Sequence, residues 1–345
     1  MKKIKTIWLI SDGIPGHLNQ ALGLTETLQE IIGATSLHCI DATLKRKWLR
    51  PLLGVAINAN NLSASERLTK LAYGIVALPD QRPDLIISAG GNTSFINALF
   101  GKRYQCPCLF IGSLRKLQAD CFTAVLTLEA IPEASNNIVM EIPPTRITPE
   151  KAAQAGVWIT QHSNQAPEYL WGMIIGGEGA GFTYGEQDWK ALAEAMVSLS
   201  QSQGIKWLIT TSRRTGIENE KILKAAIPEN IIEKAVWYNH QPEKTMLAFL
   251  GASSRVFCTA DSMSMIAESV SAGSTVTVLT PKQSNPNEKY ENALQSFVSK
   301  GFIQLTPITQ VEQSCANPVN SNHAKLSTQA TLQKLVEKLN IVEIP

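Results

Sequence analysis

At 345 residues the chain exceeds one ordinary domain, and two are expected. Its 44% hydrophobic and 17% charged content suits a soluble protein with a large core, and a net charge of +2 argues against a dedicated nucleic-acid binder, whose charge is larger and clustered. Six scattered cysteines without a CxxC pair and five histidines without HExxH spacing favour reduced core thiols and no structural metal.

The apolar run Ile7–Ile10 predicts a buried first strand. It follows a basic start but stops at Ser11-Asp12, too short for a signal-peptide core or a membrane span, so the expected location is the cytoplasm. Ser11-Asp12-Gly13-Ile14-Pro15-Gly16-His17-Leu18-Asn19-Gln20 reads as a glycine-bearing loop leading into an amphipathic helix that ends near Ile32. A strand over 36–42 follows. Next comes the basic and apolar stretch Lys45-Arg46-Lys47-Trp48-Leu49-Arg50, open to two readings: a surface loop, or a peripheral contact with an anionic membrane surface or lipid carrier. Leu85–Ser88 predicts a strand, with Gly90-Gly91-Asn92 turning into a capped helix. Strands near 107–112 and 124–128 complete a first domain over 1–148. The proline-bearing segment 131–148 loses periodicity and is expected to hold the linker.

A second α/β alternation then opens a domain over 149–325. Leu170–Ile175 runs as a strand into Gly176-Gly177-Glu178-Gly179-Ala180-Gly181-Phe182, where Phe182 stands in place of the last glycine of GxGxxG. No dinucleotide fingerprint results, but a loop whose backbone N–H groups face a phosphate fits. Lys206–Thr211 is the next strand, and it ends in Ser212-Arg213-Arg214-Thr215, where two planar guanidinium forks suit phosphate oxygens or are simply solvated. A further strand ends at Val236-Trp237-Tyr238-Asn239.

The stretch with most chemical content lies between the strands Ser254–Thr259 and Ser274–Thr280. Met263, Ile266, Ala267 and Val270 share one helical stripe, while Ser264 and Glu268 share another face. Asp261 or Ser262 can cap the helix start, and Gly273 suits a left-handed stop. The free amino end would hold a phosphate. Six residues beyond Ser262, at about 1.5 Å rise each, Glu268 would sit ~9 Å further along, near the distance from a pyrophosphate to ribose hydroxyls. A capped α/β helix with a solvated Glu is the plainer reading. A closing helix near 327–339 is expected to pack back on the first half, so that 326–345 joins the first domain.

Two α/β units of similar order, each with a glycine loop after its first strand, resemble the GT-B architecture: facing Rossmann-like domains with parallel sheets and a cleft between them. Glu268, Gly273 and the following β run to Pro281 are similar to the donor signature of the peptidoglycan UDP-N-acetylglucosamine transferase, and Pro15-Gly16-His17 leading into Ala21-Leu22 resembles that enzyme's first glycine loop. Over nearly its whole length the sequence resembles the mitochondrial fission ELM-type family. That likeness rests on Ser11-Asp12-Gly13, Gly16-His17, Asn19-Gln20-Ala21-Leu22-Gly23, Gly176-Gly177, Thr211–Thr215 and Asp261–Ile266 with Glu268.

The resemblance implies a metal-independent glycosyltransferase that moves a sugar from a nucleotide-diphosphate donor, UDP-linked, to a saccharide or lipid-linked acceptor of the cell envelope. The nucleotide-sugar is substrate and no cofactor is implied. Gly176, Gly177 and Gly179 would line the sugar-diphosphate site, Arg213 and Arg214 would neutralise the leaving diphosphate, and Ser262, Met263, Ser264 and Met265 would offer the helix end. Glu268 would hold the ribose and Tyr238 would border the base. Gly16, Asn19, Gln20, Gly90, Gly91 and Asn92 fall on the acceptor side. For the base that inverting transfer needs, His17 and Asp12 are the candidates, His17 being the better suited near neutrality. A nucleotide-sugar epimerase of the same fold and a non-enzymatic membrane-associated binding protein are the alternatives.

Overall fold

A computed structural model of the chain describes residues 3–75, 77–316 and 324–339. The chain divides into two compact units: residues up to Arg146 joined by the C-terminal segment from Leu326, and Ile147–Lys325. Residues 340–345, which the sequence reading adds to the first domain, lie outside the described residues.

The first unit runs β1 (Thr6–Ser11), α1 (Pro15–Ile32), β2 (Ser36–Leu44), α2 (Arg50–Asn58), α3 (Leu62–Ala72), β3 (Tyr73–Ile75), β4 (Leu85–Ala89), α4 (Ser94–Tyr104), β5 (Cys108–Ile111), β6 (Ala124–Thr127) and β7 (Asn137–Val139). These strands form one sheet in the order β3-β2-β1-β4-β5-β6-β7, parallel except where β3 runs against β2. Every residue of β1 is buried, as expected of a parallel strand covered on both faces. Its alternation divides the core: Trp8 and Ile10 pack with Phe95 and Phe110, while Ile7 and Leu9 pack with Leu24, Leu28 and Leu335 of the C-terminal helix Ala324–Leu339. On α1, Gly23 lets the returning backbone lie against the helix, because a methyl there would come within 2.9 Å of Thr145 Cα.

Three differences from the sequence reading have physical causes. The residues from Gly16 to Gln20 are not loop but the first turns of α1, since Pro15 occupies an early helical position where its missing N–H costs nothing. The proline-bearing segment expected to be linker contains β7, paired with β6 through Asn137. The pair α2 and α3, with β3 after it, has no counterpart in that reading.

The second unit runs α5 (Pro149–His162), β8 (Leu170–Ile174), β9 (Phe182–Thr183), α6 (Glu186–Gln203), β10 (Lys206–Thr210), α7 (Ile217–Ala226), β11 (Ile232–Val236), α8 (Met246–Ala252), β12 (Arg255–Thr259), α9 (Met263–Ser271), β13 (Thr275–Thr280), β14 (Gln283–Ser284), α10 (Glu288–Ser299) and β15 (Ile303–Pro307). Its main sheet is wholly parallel in the order β11-β10-β8-β12-β13-β15. Strands β9 and β14 form a separate antiparallel pair. Gly156 on α5 and Gly251 on α8 let those helices approach closely, as a methyl on Gly156 would lie 2.6 Å from the Ala252 nitrogen.

In both sheets the first strand of the unit lies beside the strand at which the order reverses: β1 beside β4, and β8 beside β12. Loops at the carboxyl ends of such strand pairs are where open α/β sheets bind ligands.

Candidate functional site

At the first unit's switch point the loop after β1 meets the loop after β4. Asp12 is buried, its side chain 2% exposed, and His17 turns Nδ1 toward both of its carboxylate oxygens at 3.1 and 3.0 Å. A carboxylate can only accept, so Nδ1 carries the proton of this contact, and in the neutral ring Nε2 keeps its lone pair. His17 itself is one-third exposed. Gly90, at φ +88, is what allows this pair: a methyl there would lie 2.6 Å from His17 Cγ and nearer still to Nδ1. Asn92 accepts from Arg50 Nη2 at 2.6 Å, and its carbonyl accepts from the Tyr73 hydroxyl. Burial pushes the Tyr73 hydroxyl far up, so it stays a neutral donor. Thus Asp12, His17, Gly90, Gly91 and Asn92 come together, whereas Gly16, Asn19 and Gln20 form the helix turn behind His17.

In the second unit the glycine loop is built differently from expectation. The Gly176 N–H donates to Thr259 Oγ1 at 2.7 Å, and the Gly179 N–H donates to Phe182 O at 3.2 Å. With Ala180 at φ 52 and Gly181 at φ 88, residues 179–182 make a two-residue hairpin turn. Two of the three glycine amides are therefore engaged within the protein. What the glycines provide is room: a methyl on Gly176 would come within 2.6 Å of Asp261 Cγ, and one on Gly177 within 2.7 Å of the Thr215 nitrogen.

Asp261 caps nothing. It is buried beneath the start of α9 and forms an ion pair with Arg214, which is 41% exposed. Desolvation by burial, only partly offset by Thr259, Arg214 and the Gly177 amide, holds its carboxyl above the usual range. Ser262 stands at the N-cap position of α9 without a side-chain cap bond, and its hydroxyl lies 3.2 Å from Ser264 Oγ. Among the described residues the Ser264 and Met265 N–H groups have no partner. Gly273 adopts the left-handed stop at φ +82. Glu268 is half-buried and not part of the core. Arg213 is exposed beside Arg214.

One buried carboxylate that sequence reasoning missed organises the neighbouring loops. Glu220 of α7 is fully buried, and its Oε1 accepts from Thr211 Oγ1, from the Asn239 N–H at 3.1 Å and from Asn239 Nδ2 at 2.9 Å. The Tyr238 N–H in turn donates to Thr211 Oγ1 at 2.8 Å, and the Tyr238 ring is 39% exposed. Glu220 thus ties the arginine loop after β10 to the Tyr238 loop after β11. Its signal was present: Glu220 lies one turn from the fully buried Leu223 on α7, and a carboxylate on an apolar stripe needs buried donors.

The basic stretch divides on folding. Lys45, Arg46, Lys47 and Trp48 are exposed, Trp48 at 71%, whereas Arg50 turns inward to Asn92. Among the described residues no helix is long and apolar enough to cross a membrane, and no group of His, Cys, Asp or Glu could hold a metal ion.

Two Rossmann-like units, each with its polar side chains at a switch point, define a GT-B-like fold. Staphylococcus aureus MnaA in complex with UDP is similar to this chain with a TM-score of 0.58 at 12% identity, over 99% of both chains. A UDP-N-acetylglucosamine 2-epimerase aligns with a TM-score of 0.54 at 12% identity, over 100% of this chain and 99% of its own. At that identity the likeness is one of fold. The chain belongs to the Mitochondrial fission ELM1 family, whose profile matches residues 15–330. The uncharacterized protein RP120 of Rickettsia prowazekii (strain Madrid E) is 23% identical over 353 residues, 91% of this chain and 94% of its own.

Proposed function

We propose that the protein is a glycosyltransferase that moves a sugar from a UDP-linked donor to a saccharide or lipid-linked acceptor of the cell envelope. The Asp12–His17 pair carries this reading. A buried carboxylate accepts from Nδ1 and fixes the ring, leaving Nε2 to take the proton of an acceptor hydroxyl as that oxygen attacks the anomeric carbon. The departing diphosphate is met by Arg213, Arg214, the Ser262 and Ser264 hydroxyls and the Ser264 and Met265 amides, charges and dipoles already in place. Glu268 accepts from the ribose hydroxyls and Tyr238 borders the base. The UDP bound to the S. aureus protein of this fold supports uridine as the base.

Calorimetric titration tests this. UDP should bind, and Arg213→Ala or Glu268→Ala should weaken it by roughly ten- to a hundredfold, the loss of a ~1.4–3 kcal/mol polar contact. Absence of binding by every nucleoside diphosphate would defeat the proposal.

A second reading is favoured by the fold likeness to a 2-epimerase: isomerisation of the donor sugar itself. Sugar NMR after incubation without an acceptor separates the two, since only an isomerase converts the donor alone. Peripheral membrane docking belongs to the same proposal. On α2, Leu52 and Val55 are 52% and 69% exposed, and with Trp48 they recur at helical spacing beside Lys45, Arg46 and Lys47, the pattern of a surface that meets anionic lipid.

A further inference from the structure

We infer that the first unit carries a subsite for a phosphate group of the acceptor, formed by Arg50 at Asn92 and Arg115 over Gly91. The inference rests on the glycosyl-transfer reading for the word acceptor, but the subsite itself rests on geometry. Arg50 reaches in from the start of α2 to Asn92 Oδ1, and its Nε is shut off from water without a hydrogen-bond partner among the described residues. Arg115 comes from the loop after β5 and lies over Gly91, where a methyl would be 2.8 Å from its Cγ and closer still to Nε.

Holding Arg115 there has a conformational cost. Arg115 and Lys116 are consecutive left-handed residues at φ 51 and φ 74, a conformation that crowds the Cβ of residues other than glycine. Asn58 of α2 fixes that shape, donating to Lys116 O at 3.0 Å and accepting the Gln118 N–H at 3.0 Å. A guanidinium with no task beyond solvation needs no such support. Arg103, Arg146 and Arg214 each have a carboxylate partner, but among the described residues none lies within 4.0 Å of Arg50 or Arg115. Two unneutralised forks beside one glycine turn match the oxygens of a phosphate, which can bond both in bidentate fashion. Tyr73 links this pair to the catalytic candidates, since its hydroxyl donates to Asn92 and lies within electrostatic reach of both Arg50 and Asp12. An acceptor anchored here by its phosphate presents a neighbouring hydroxyl to His17.

The test uses the full chain saturated with UDP, so that the second unit's diphosphate site is filled, and titrates inorganic pyrophosphate by calorimetry. A further pyrophosphate site should appear, weakened at least tenfold by Arg115→Gln and by Arg50→Gln and in part retained by the lysine variants. UDP affinity should stay unchanged in these variants. Arg115 is exposed, so its variant folds even where Arg50→Gln does not. Where UDP binds but pyrophosphate does not, or where both glutamine variants bind pyrophosphate as the parent does, the subsite is refuted. If UDP fails to bind, the transfer reading falls by itself. The UDP-free titration then decides the subsite by its sensitivity to Arg115→Gln and insensitivity to Arg213→Ala. Farnesyl diphosphate as a second probe assigns the source within a positive result: tighter binding than pyrophosphate marks a lipid-borne phosphate, equal binding a soluble one.

Discussion

Replacing Gly90 with alanine isolates the contact on which the proposed chemistry depends. The substitution has two separable costs. Gly90 sits at φ +88, where a Cβ costs roughly 1–2 kcal/mol. The new methyl must also displace the His17 ring, which would otherwise lie 2.6 Å away at Cγ and closer at Nδ1, and so removes the bond to a carboxylate that is 2% exposed. Losing a hydrogen bond to a buried charge costs about 1.5–3 kcal/mol. The sum, ~2.5–5 kcal/mol, should lower the first unit's calorimetric transition by roughly 5–20 °C at about 2–4 °C per kcal/mol. Gly23→Ala, in the same unit, identifies that transition. In a His17→Ala background the methyl meets no ring, and Gly90→Ala should cost only its backbone share, leaving a coupling of ~1.5–3 kcal/mol in the double-mutant cycle. Additive costs, within about 0.5 kcal/mol, would show that His17 does not rest against Gly90 and would remove the ground for calling it an oriented base.

Gly176→Ala should weaken UDP binding at least tenfold and lower the second unit's melting temperature, because a methyl 2.6 Å from Asp261 Cγ pries Asp261 from Arg214; unaltered binding would disprove that linkage. The raised carboxyl of Asp261 stabilises the fold below the ordinary carboxylate range and loses that contribution as pH climbs through its folded value. The melting temperature of Asp261→Asn relative to the parent should therefore rise as pH climbs above the ordinary carboxylate range, and a flat difference would argue against the burial penalty. Glu220→Ala strands three donors and should cost ~2–4 kcal/mol in chemical denaturation, whereas Glu220→Gln keeps the accepting oxygen and should cost far less. Liposome flotation on anionic vesicles should fall when Lys45, Arg46 and Lys47 are neutralised together or Trp48 becomes alanine, and unchanged flotation would reduce that stretch to an ordinary surface.

Architecture was largely legible because parallel strands buried on both faces leave continuous apolar runs, as in Ile7–Ile10 and Cys108–Ile111, and glycines follow them wherever the backbone must turn at once. Much of the site was not. From sequence, Gly176-Gly177-Glu178-Gly179 reads as a cradle of amides. Folded, it donates the Gly176 and Gly179 amides to Thr259 and Phe182, and no local pattern reveals a partner such as Thr259, 83 positions from Gly176. Asp261 looked like a cap because it precedes a helix, yet burial beside Arg214 gives it another task. Arg50 was grouped with the lysines around it by charge, and only the start of α2 turns it toward Asn92.

The first unit closes its core with a helix drawn from the far end of the chain, placing Leu335, fully buried, against Ile7, Leu24 and Leu28. During synthesis, then, the first unit leaves the ribosome with an open apolar flank that waits until Leu335 and its helix are made. A fragment cut after Arg146 would be prone to clump, and a frameshift near the end would damage the beginning.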